Sequence, residues 1–187
     1  RSSWPAAAGA AVILVVFLAA LGLTAWKLGW LPDFGPLSKW SKPEVIDLNP
    51  STSTNGTISG QYEWSYDGTP FELNLAIPED LYEYYHKMDR APIEDYSIYV
   101  PHPNDDAKLV DPLAAELKRV ALQKGYDSEE SVNFTASFVQ NLNYREDIGG
   151  EYPSYPVETL HDKGGDCEDM SILTAALLQS MGYDAVL

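Results

Sequence analysis

The stretch that decides the fold is residues 164–187, GGDCEDMSILTAALLQSMGYDAVL. Two glycines lead into an acidic turn, and an apolar run follows that ends at Gly182. Apolar residues recur along this run at helical spacing: Met170, Leu173, Leu177 and Met181. Glycine commonly follows the last residue of a helix. The pattern therefore predicts a buried central helix over residues 167–181, followed by a strand over residues 183–187.

The first turn of this predicted helix carries Cys167, the only cysteine of the chain. A thiol there faces unpaired backbone N–H groups and the positive end of the helix dipole, and both favour the thiolate. The same amides can hold a developing oxyanion. These features indicate a nucleophile. The alternative interpretation is a small buried hydrophobic side chain, which is the usual fate of a free cysteine.

Three carboxylates, those of Asp166, Glu168 and Asp169, surround the cysteine in sequence and oppose this effect. Like-charge repulsion disfavours the thiolate and raises the pKa of the thiol, so a protonated histidine or a bound cation would be needed to offset it. A simpler interpretation makes Asp166 an N-cap and the other two favourable acids of the first helical turn. If the bound cation were calcium, two of these carboxylates would be too few to hold it without other oxygen ligands.

The segments YPVETL and GGDCEDMSILTAALLQSMGYDAVL resemble sequences of the transglutaminase-like cysteine enzyme superfamily, in particular of its membrane-anchored archaeal and bacterial branch. The resemblance covers residues 110–187 well and residues 57–100 only in general character. It implies a papain-like fold, with Cys167 as the nucleophile of an acyl transfer. It also implies calcium, because the bacterial transglutaminase-like cysteine proteinases share the Asp-Cys-Glu-Asp words and are regulated by calcium held near this turn. By that match, Asp166 and Glu168 are the candidate calcium ligands.

The catalytic histidine of the superfamily lies on a strand after the central helix, and an orienting Asp lies on the next strand. The histidines of this chain are His86, His102 and His161, and none of them follows Cys167. The resemblance places His161 on an approach loop that has no catalytic role. We therefore expect residues 1–187, taken alone, to lack the catalytic His and Asp and to be catalytically incompetent.

The elements upstream also follow from hydrophobic periodicity. Alternating apolar residues predict a hairpin that turns at Asp67 and Gly68. Further patterns predict a short helix, a strand and two helices, over residues 81–88, 96–100, 111–125 and 128–142. The second of these helices carries an apolar stripe, at Val132, Ala136, Val139 and Leu142. We expect four regions: an anchor (1–30), a linker rich in Pro, Ser, Thr and Gly (31–56), a hairpin and short-helix extension (57–109), and the N-terminal part of a transglutaminase-like domain (110–187).

Residues 6–26 form an uncharged apolar segment of about 21 residues, or roughly 32 Å as a helix. Tryptophans stand at both of its ends, as interfacial aromatic residues do. A secretory signal peptide is the competing interpretation, but its apolar core usually has only about 7–15 residues. The segment predicts a retained single-pass anchor in the membrane, with the soluble domain on the extracytoplasmic side.

The charge of the chain excludes one class of partner. The chain has 28 acidic and 12 basic residues, and residues 31–187 carry a net charge of −18. No basic patch is available to neutralise a phosphate backbone, so a nucleic-acid partner is excluded. One cysteine also excludes an intrachain disulfide.

The sequence therefore predicts an α+β fold, with an N-terminal transmembrane helix plus a truncated transglutaminase/papain-like domain with a β-hairpin extension. The expected function is a membrane-anchored cysteine acyl-transfer enzyme, a peptidase or amidase rather than a crosslinking enzyme. The alternative is a non-catalytic subunit or an assembly module of a membrane complex. The expected partners are the lipid bilayer and a protein or peptide, either as substrate or as partner subunit.

Overall fold

The structure, a computed structural model, describes residues 42–49, 56–90, 95–100 and 108–187. These residues form five strands, five α-helices and one 3₁₀-helix, Tyr96–Tyr99. The strands are β1 (Glu44–Leu48), β2 (Thr57–Tyr66), β3 (Thr69–Pro78), β4 (Asn143–Tyr144) and β5 (Gly164–Gly165). The helices are α1 (Glu79–His86), α2 (Val110–Lys124), α3 (Ser128–Gln140), α4 (Pro156–Asp162) and α5 (Cys167–Ser180).

Strands β2 and β3 form the predicted hairpin, which is confirmed. They pair antiparallel, and Asp67 and Gly68 both adopt positive φ (48° and 71°) at the turn, as a tight hairpin turn requires. Strand β1 adds to β3 in parallel and gives the sheet order β1-β3-β2. β1 lies within residues 31–56, which the composition had assigned to a linker. A five-residue strand between Pro-rich stretches is too short to give a periodic signal.

An aromatic cluster joins this sheet to α3. Trp64 stacks on Phe71 with ring centroids 5.2 Å apart, and Phe134 of α3 meets Phe71 edge-on at 5.0 Å. Phe138 lies one turn further along α3 and contacts Trp64 at 5.2 Å. These four rings are buried, so the inward face of the hairpin and one face of α3 form a single apolar core.

Helix α5 is the central helix of the described structure, as predicted. It packs against α2, α3 and α4. Its side chains Ile172, Leu173 and Leu177 are wholly buried, and Gly182 adopts φ +93° just after the helix. This arrangement fixes the direction of α5 and therefore the position of its first residue.

Three local predictions need correction. Residues 96–99 form a 3₁₀-helix in place of a strand, because the Asp95 side chain accepts the Ser97 N–H (2.9 Å) and tightens the chain into a turn. Residues 183–187 form no strand: the Tyr183 N–H donates to the Leu178 carbonyl and closes the end of α5, and the Ala185 carbonyl accepts a hydrogen bond from Nε2 of Gln179. The buried stripe of α3 contains Phe134 and Phe138, whereas Val132 and Ala136 are only partly buried.

The helix starts also differ in detail. Helix α3 begins at Ser128, as predicted, and is capped by Asp127: the two backbone N–H groups of Asp127 and Glu130 each donate to the other residue's carboxylate at 2.9 Å. Helix α2 begins at Val110, one residue before the predicted start at residue 111. Side-chain propensity alone does not distinguish between adjacent capping residues.

The predicted fold class, a transmembrane helix plus a truncated transglutaminase/papain-like domain, is wrong. In the part of the chain that is described, no helix is long and apolar enough to cross a membrane. The longest, α2, has 15 residues, or roughly 22 Å, against about 30 Å of hydrocarbon. What the structure supports is a mixed α/β arrangement with small sheets. The predicted single-pass membrane localisation is wrong on the same finding, and residues 6–26 lie outside the described residues.

Candidate active site at the start of helix α5

Gly164 and Gly165 lie where there is no room for a side chain. A Cβ on Gly164 would lie 2.1 Å from the Asn143 carbonyl oxygen, and one on Gly165 would lie 2.3 Å from Oδ2 of Asp169. The two glycines form β5, which pairs in parallel with β4. Their lack of side chains therefore allows the turn to lie between β4 and the first turn of α5.

The carboxylate of Asp169 fixes the geometry of this turn from inside. Asp169 is buried, with 3% of its surface exposed. Its Oδ1 accepts the Ser154 N–H at 2.6 Å, and its Oδ2 accepts the Asp166 N–H at 3.4 Å. Burial raises the pKa of Asp169 to about 6, against the lowering effect of these hydrogen bonds. Asp169 thus links the chain before α4 to the start of α5.

Cys167 is the first residue of α5, and its side chain is exposed, so the predicted placement is confirmed. Its thiol donates a hydrogen bond to Oε2 of Glu168 at 3.2 Å. This hydrogen bond, with the charges of Glu168 and Asp166, raises the pKa of Cys167. The carboxylates therefore outweigh the helix terminus, and the thiol form is favoured in the arrangement described.

Three carboxylates converge beside the thiol: those of Asp147, Asp166 and Glu168. One oxygen from each lies within 4.8 Å of the other two. Asp166 is 9% exposed, and its Oδ1 has no hydrogen-bond partner; the same holds for the buried Oε1 of Glu168. Burial raises the pKa of Glu168 to about 7, and the neighbouring carboxylates of Asp166 and Glu151 add to this effect. This all-oxygen donor set, with two unpartnered buried oxygens, fits a hard divalent cation.

Two further polar groups, those of Tyr96 and Glu151, lie next to these carboxylates. The Tyr96 hydroxyl donates to Oε1 of Glu151 at 2.8 Å, and this hydrogen bond raises the pKa of Tyr96 to about 12. Glu151 in turn lies close to Glu168. Sequence analysis missed both Asp147 and Glu151. They belong to a loop that only the tertiary fold brings to α5, and acidic loop residues carry no local signal of a site.

The described histidines lie elsewhere. Nδ1 of His86 is 3.1 Å from Oε1 of Glu158, and Nδ1 of His161 is 2.6 Å from Oδ1 of Asp162. The ring of His161 also stacks on Tyr82 at 3.9 Å. Among the described residues the thiol's partner is Glu168, and neither histidine reaches it. His102 lies outside the described residues.

Comparisons of the chain with protein-family models, with curated proteins and with solved structures gave no match. The grounds for a function are therefore the groups around Cys167 and the resemblance of the sequence segment that contains it to the transglutaminase-like enzymes.

Proposed function

We propose that the protein is a thiol-dependent acyl-transfer enzyme of the transglutaminase-like kind, with Cys167 as its nucleophile. The observation that supports this is the placement of Cys167: an exposed thiol at the first residue of a buried helix, after a turn that only glycines can form. The first N–H groups of a helix have no carbonyl partner within the helix, and this thiol stands at the first residue of α5. Such N–H groups supply the donors that an oxyanion requires.

The reaction proceeds in two steps. The Cys167 thiolate attacks the acyl carbon of an amide, the C–N bond breaks, and the amine leaves with a proton while a thioester forms on Sγ. Water then attacks the thioester, takes up the acyl group as a carboxylic acid, and returns the thiol. We favour hydrolysis over transfer to a second amine because Cys167 is exposed, so water has access to a thioester formed there.

Proton transfer in this reaction needs a general base and acid. In the superfamily that the motif resembles, this is a histidine after the central helix. The sequence has no histidine after His161, and His86 and His161 are held by Glu158 and Asp162. The proposal therefore assigns Cys167 the nucleophile's role and assigns the base to none of the residues that the structure describes. That residues 1–187 alone are inactive stays a prediction.

Because the pKa of Cys167 is raised, its use as a nucleophile requires a positive charge near the carboxylates. The resemblance implies calcium at Asp166 and Glu168, and the unpartnered oxygens of both residues fit that ion. A bound divalent cation would neutralise these carboxylates and lower the pKa of the thiol. A protonated histidine beside Sγ would have the same effect.

The test is acyl-enzyme formation. The full-length protein is incubated with an activated acyl ester or with peptide amides, and the adduct is detected by intact-mass spectrometry. We expect a single adduct on Cys167 and its slow loss by hydrolysis. Cys167→Ser should lower turnover at least 100-fold. Ser171→Ala is the matched control, because it removes a hydroxyl one turn further along the same exposed face; it should stay within about twofold. Turnover that survives in Cys167→Ser would refute the proposal.

The raised pKa of Cys167 favours a second candidate, a binding or assembly module in which the thiol is not used. In that case the full-length protein would form no acyl adduct, with or without calcium. Cys167→Ser would then leave its interactions with partner proteins unchanged. The same mass-spectrometry experiment therefore separates the two candidates.

A further inference from the structure

The cluster beside Cys167 is assembled from two distant parts of the chain. Asp166 and Glu168 flank the cysteine at the start of α5. Asp147 belongs to the segment between β4 and α4, here called the Asp147 loop, residues 145–152. One oxygen of Asp147 lies within 4.8 Å of an oxygen from each of the other two carboxylates. Two oxygens from the helix start and one from the loop therefore point at one small volume.

The charges in this volume are not balanced by the protein. Asp166 is nine-tenths buried and its Oδ1 has no partner, nor does the buried Oε1 of Glu168. None of the ion pairs among the described residues includes Asp147, Asp166 or Glu168. A buried carboxylate oxygen without a partner is costly, and a cation in contact with several such oxygens removes this cost.

We propose that Asp147 is the third protein ligand of a calcium ion held with Asp166 and Glu168, and that this ion fastens the Asp147 loop to the start of α5. The proposal deepens the proposed function, because the resemblance implies only Asp166 and Glu168 as calcium ligands. What it adds is a ligand from a separate segment, and with it a structural effect of the ion.

The Asp147 loop is exposed and has two glycines shortly after Asp147. Ile148, next to Asp147, is wholly exposed (102%), and Gly149 and Gly150 follow with φ of +96° and +146°. Its ends are held: the Arg145 N–H donates to the Gly165 carbonyl at 2.9 Å, and Arg90 lies 4.4 Å from the centre of the Tyr152 ring. Between these ends the two glycines allow backbone conformations that other residues rarely adopt. Calcium accepts six to eight oxygens in irregular geometry, whereas magnesium demands a near-ideal octahedron, so an adjustable loop ligand suits calcium.

The experiment uses the full-length protein with Cys167→Ala, so that no acyl transfer is involved. Calcium chloride is titrated calorimetrically at physiological ionic strength into this protein and into three further variants. Asp147→Asn and Glu168→Gln are each expected to weaken binding at least tenfold. Glu146→Gln, which removes an equal charge next to Asp147, is the matched control and is expected to stay within about twofold.

A second measurement reads the loop directly. Hydrogen exchange of residues 145–152 is followed by mass spectrometry with and without calcium. Exchange in this segment is expected to slow at least tenfold in the parent and in Glu146→Gln, and to change less than twofold in Asp147→Asn. Because Asp147 also accepts the Tyr152 N–H, Glu168→Gln tests the site with that hydrogen bond intact.

Equal calcium affinity of Asp147→Asn and the parent would overturn the proposal, as would exchange of residues 145–152 that calcium leaves unchanged. Absence of calcium binding, or tighter binding of magnesium than of calcium, would overturn it too. None of these results bears on the nucleophile, because Cys167 is absent from every protein used. Conversely, loss of the acyl-transfer proposal would leave the calcium measurements standing.

Discussion

At the scale of single residues, Cys167 shows two electrostatic effects in opposition. The N-terminus of α5 favours a thiolate, and Glu168 and Asp166 favour the thiol; the second effect is the larger one, since the pKa of Cys167 is raised. The outcome could not be read from the sequence, because it depends on where the side chain of Glu168 points. That side chain lies against the sulfur.

Removing the Glu168 charge should therefore lower the pKa of the thiol. In EDTA, the pH profile of Cys167 alkylation by iodoacetamide should shift to lower pH in Glu168→Gln, because a larger fraction is thiolate at a given pH. A shift of one pKa unit gives about a tenfold faster reaction well below the pKa. Glu146→Gln serves as the control and should follow the wild-type profile. Superimposable profiles for Glu168→Gln and wild type would contradict the assigned cause.

Gly165 is a residue whose size is tightly restricted at the site, because its Cα faces the side chain of Asp169. Gly165→Ala would bring a methyl group against Asp169, so we expect a loss of about 1–3 kcal/mol in the free energy of unfolding, measured by urea denaturation. Gly149→Ala is the comparison: its Cβ would meet nothing, and only its positive φ costs, about 1 kcal/mol. Equal losses in the two variants would mean that contact with Asp169 is not the cause.

The start of α5 was predictable because several local signals agree: two glycines, an acidic first turn and an apolar stripe. Asp147 was not predictable, since its only relation to Cys167 is a tertiary contact. The N-cap of α3 shows the same contrast: Asp127 and Ser128 are equally good caps by propensity, and the side-chain geometry of the folded chain selects Asp127.

At the scale of elements, the sheet and α3 are held together by aromatic packing. Phe134 is wholly buried and contacts Trp64, Tyr66, Phe71 and Tyr126. The hairpin was predictable from its period of two and its Asp-Gly turn. β1 was not, because a short strand is recognised mainly by the neighbour with which it pairs.

Truncation of Phe134 should measure this packing. Phe134→Ala is expected to lower the free energy of unfolding by about 3–5 kcal/mol, through lost contacts and a residual cavity. Leu122→Ala, on a helix surface where the side chain is 65% exposed, is expected to change it by about 0.5 kcal/mol or less. Urea denaturation of both variants provides the comparison. A Phe134→Ala loss near that of Leu122→Ala would show that α3 and the sheet do not share one core.

At the scale of the whole molecule, a buried hydrogen bond links the sheet to α4. The Tyr62 hydroxyl on β2 donates to the Leu160 carbonyl at the end of α4, at 2.6 Å. Burial raises the pKa of Tyr62 in the folded state. The unfolded chain therefore releases this proton at a lower pH than the folded one. The stability from Tyr62 is fully present below about pH 10 and is lost as pH rises toward the folded-state pKa.

Tyr62→Phe should reveal this linkage. At pH 8 the free energy of unfolding of the variant should be about 1 kcal/mol lower than that of the wild type, because the hydrogen bond is lost. Above pH 10 the wild type should lose up to about 1.4 kcal/mol per pH unit relative to the variant, so the gap between the two narrows. Urea denaturation at pH 8, 10 and 11 measures it, with Tyr84→Phe, an exposed phenol, as control. A gap that is constant with pH would contradict a buried, protonated Tyr62.

The solitary thiol has a practical consequence for spectroscopy. Because Cys167 is the chain's one cysteine and is exposed, a maleimide dye or nitroxide would attach at a single position without removal of other thiols. That position lies against the carboxylates of Asp166 and Glu168 and faces the loop that carries Ile148. Paired with a second probe introduced at Ile148, it would report the distance between the start of α5 and the Asp147 loop. Changes in that distance could then be followed in real time as ions or peptides are added.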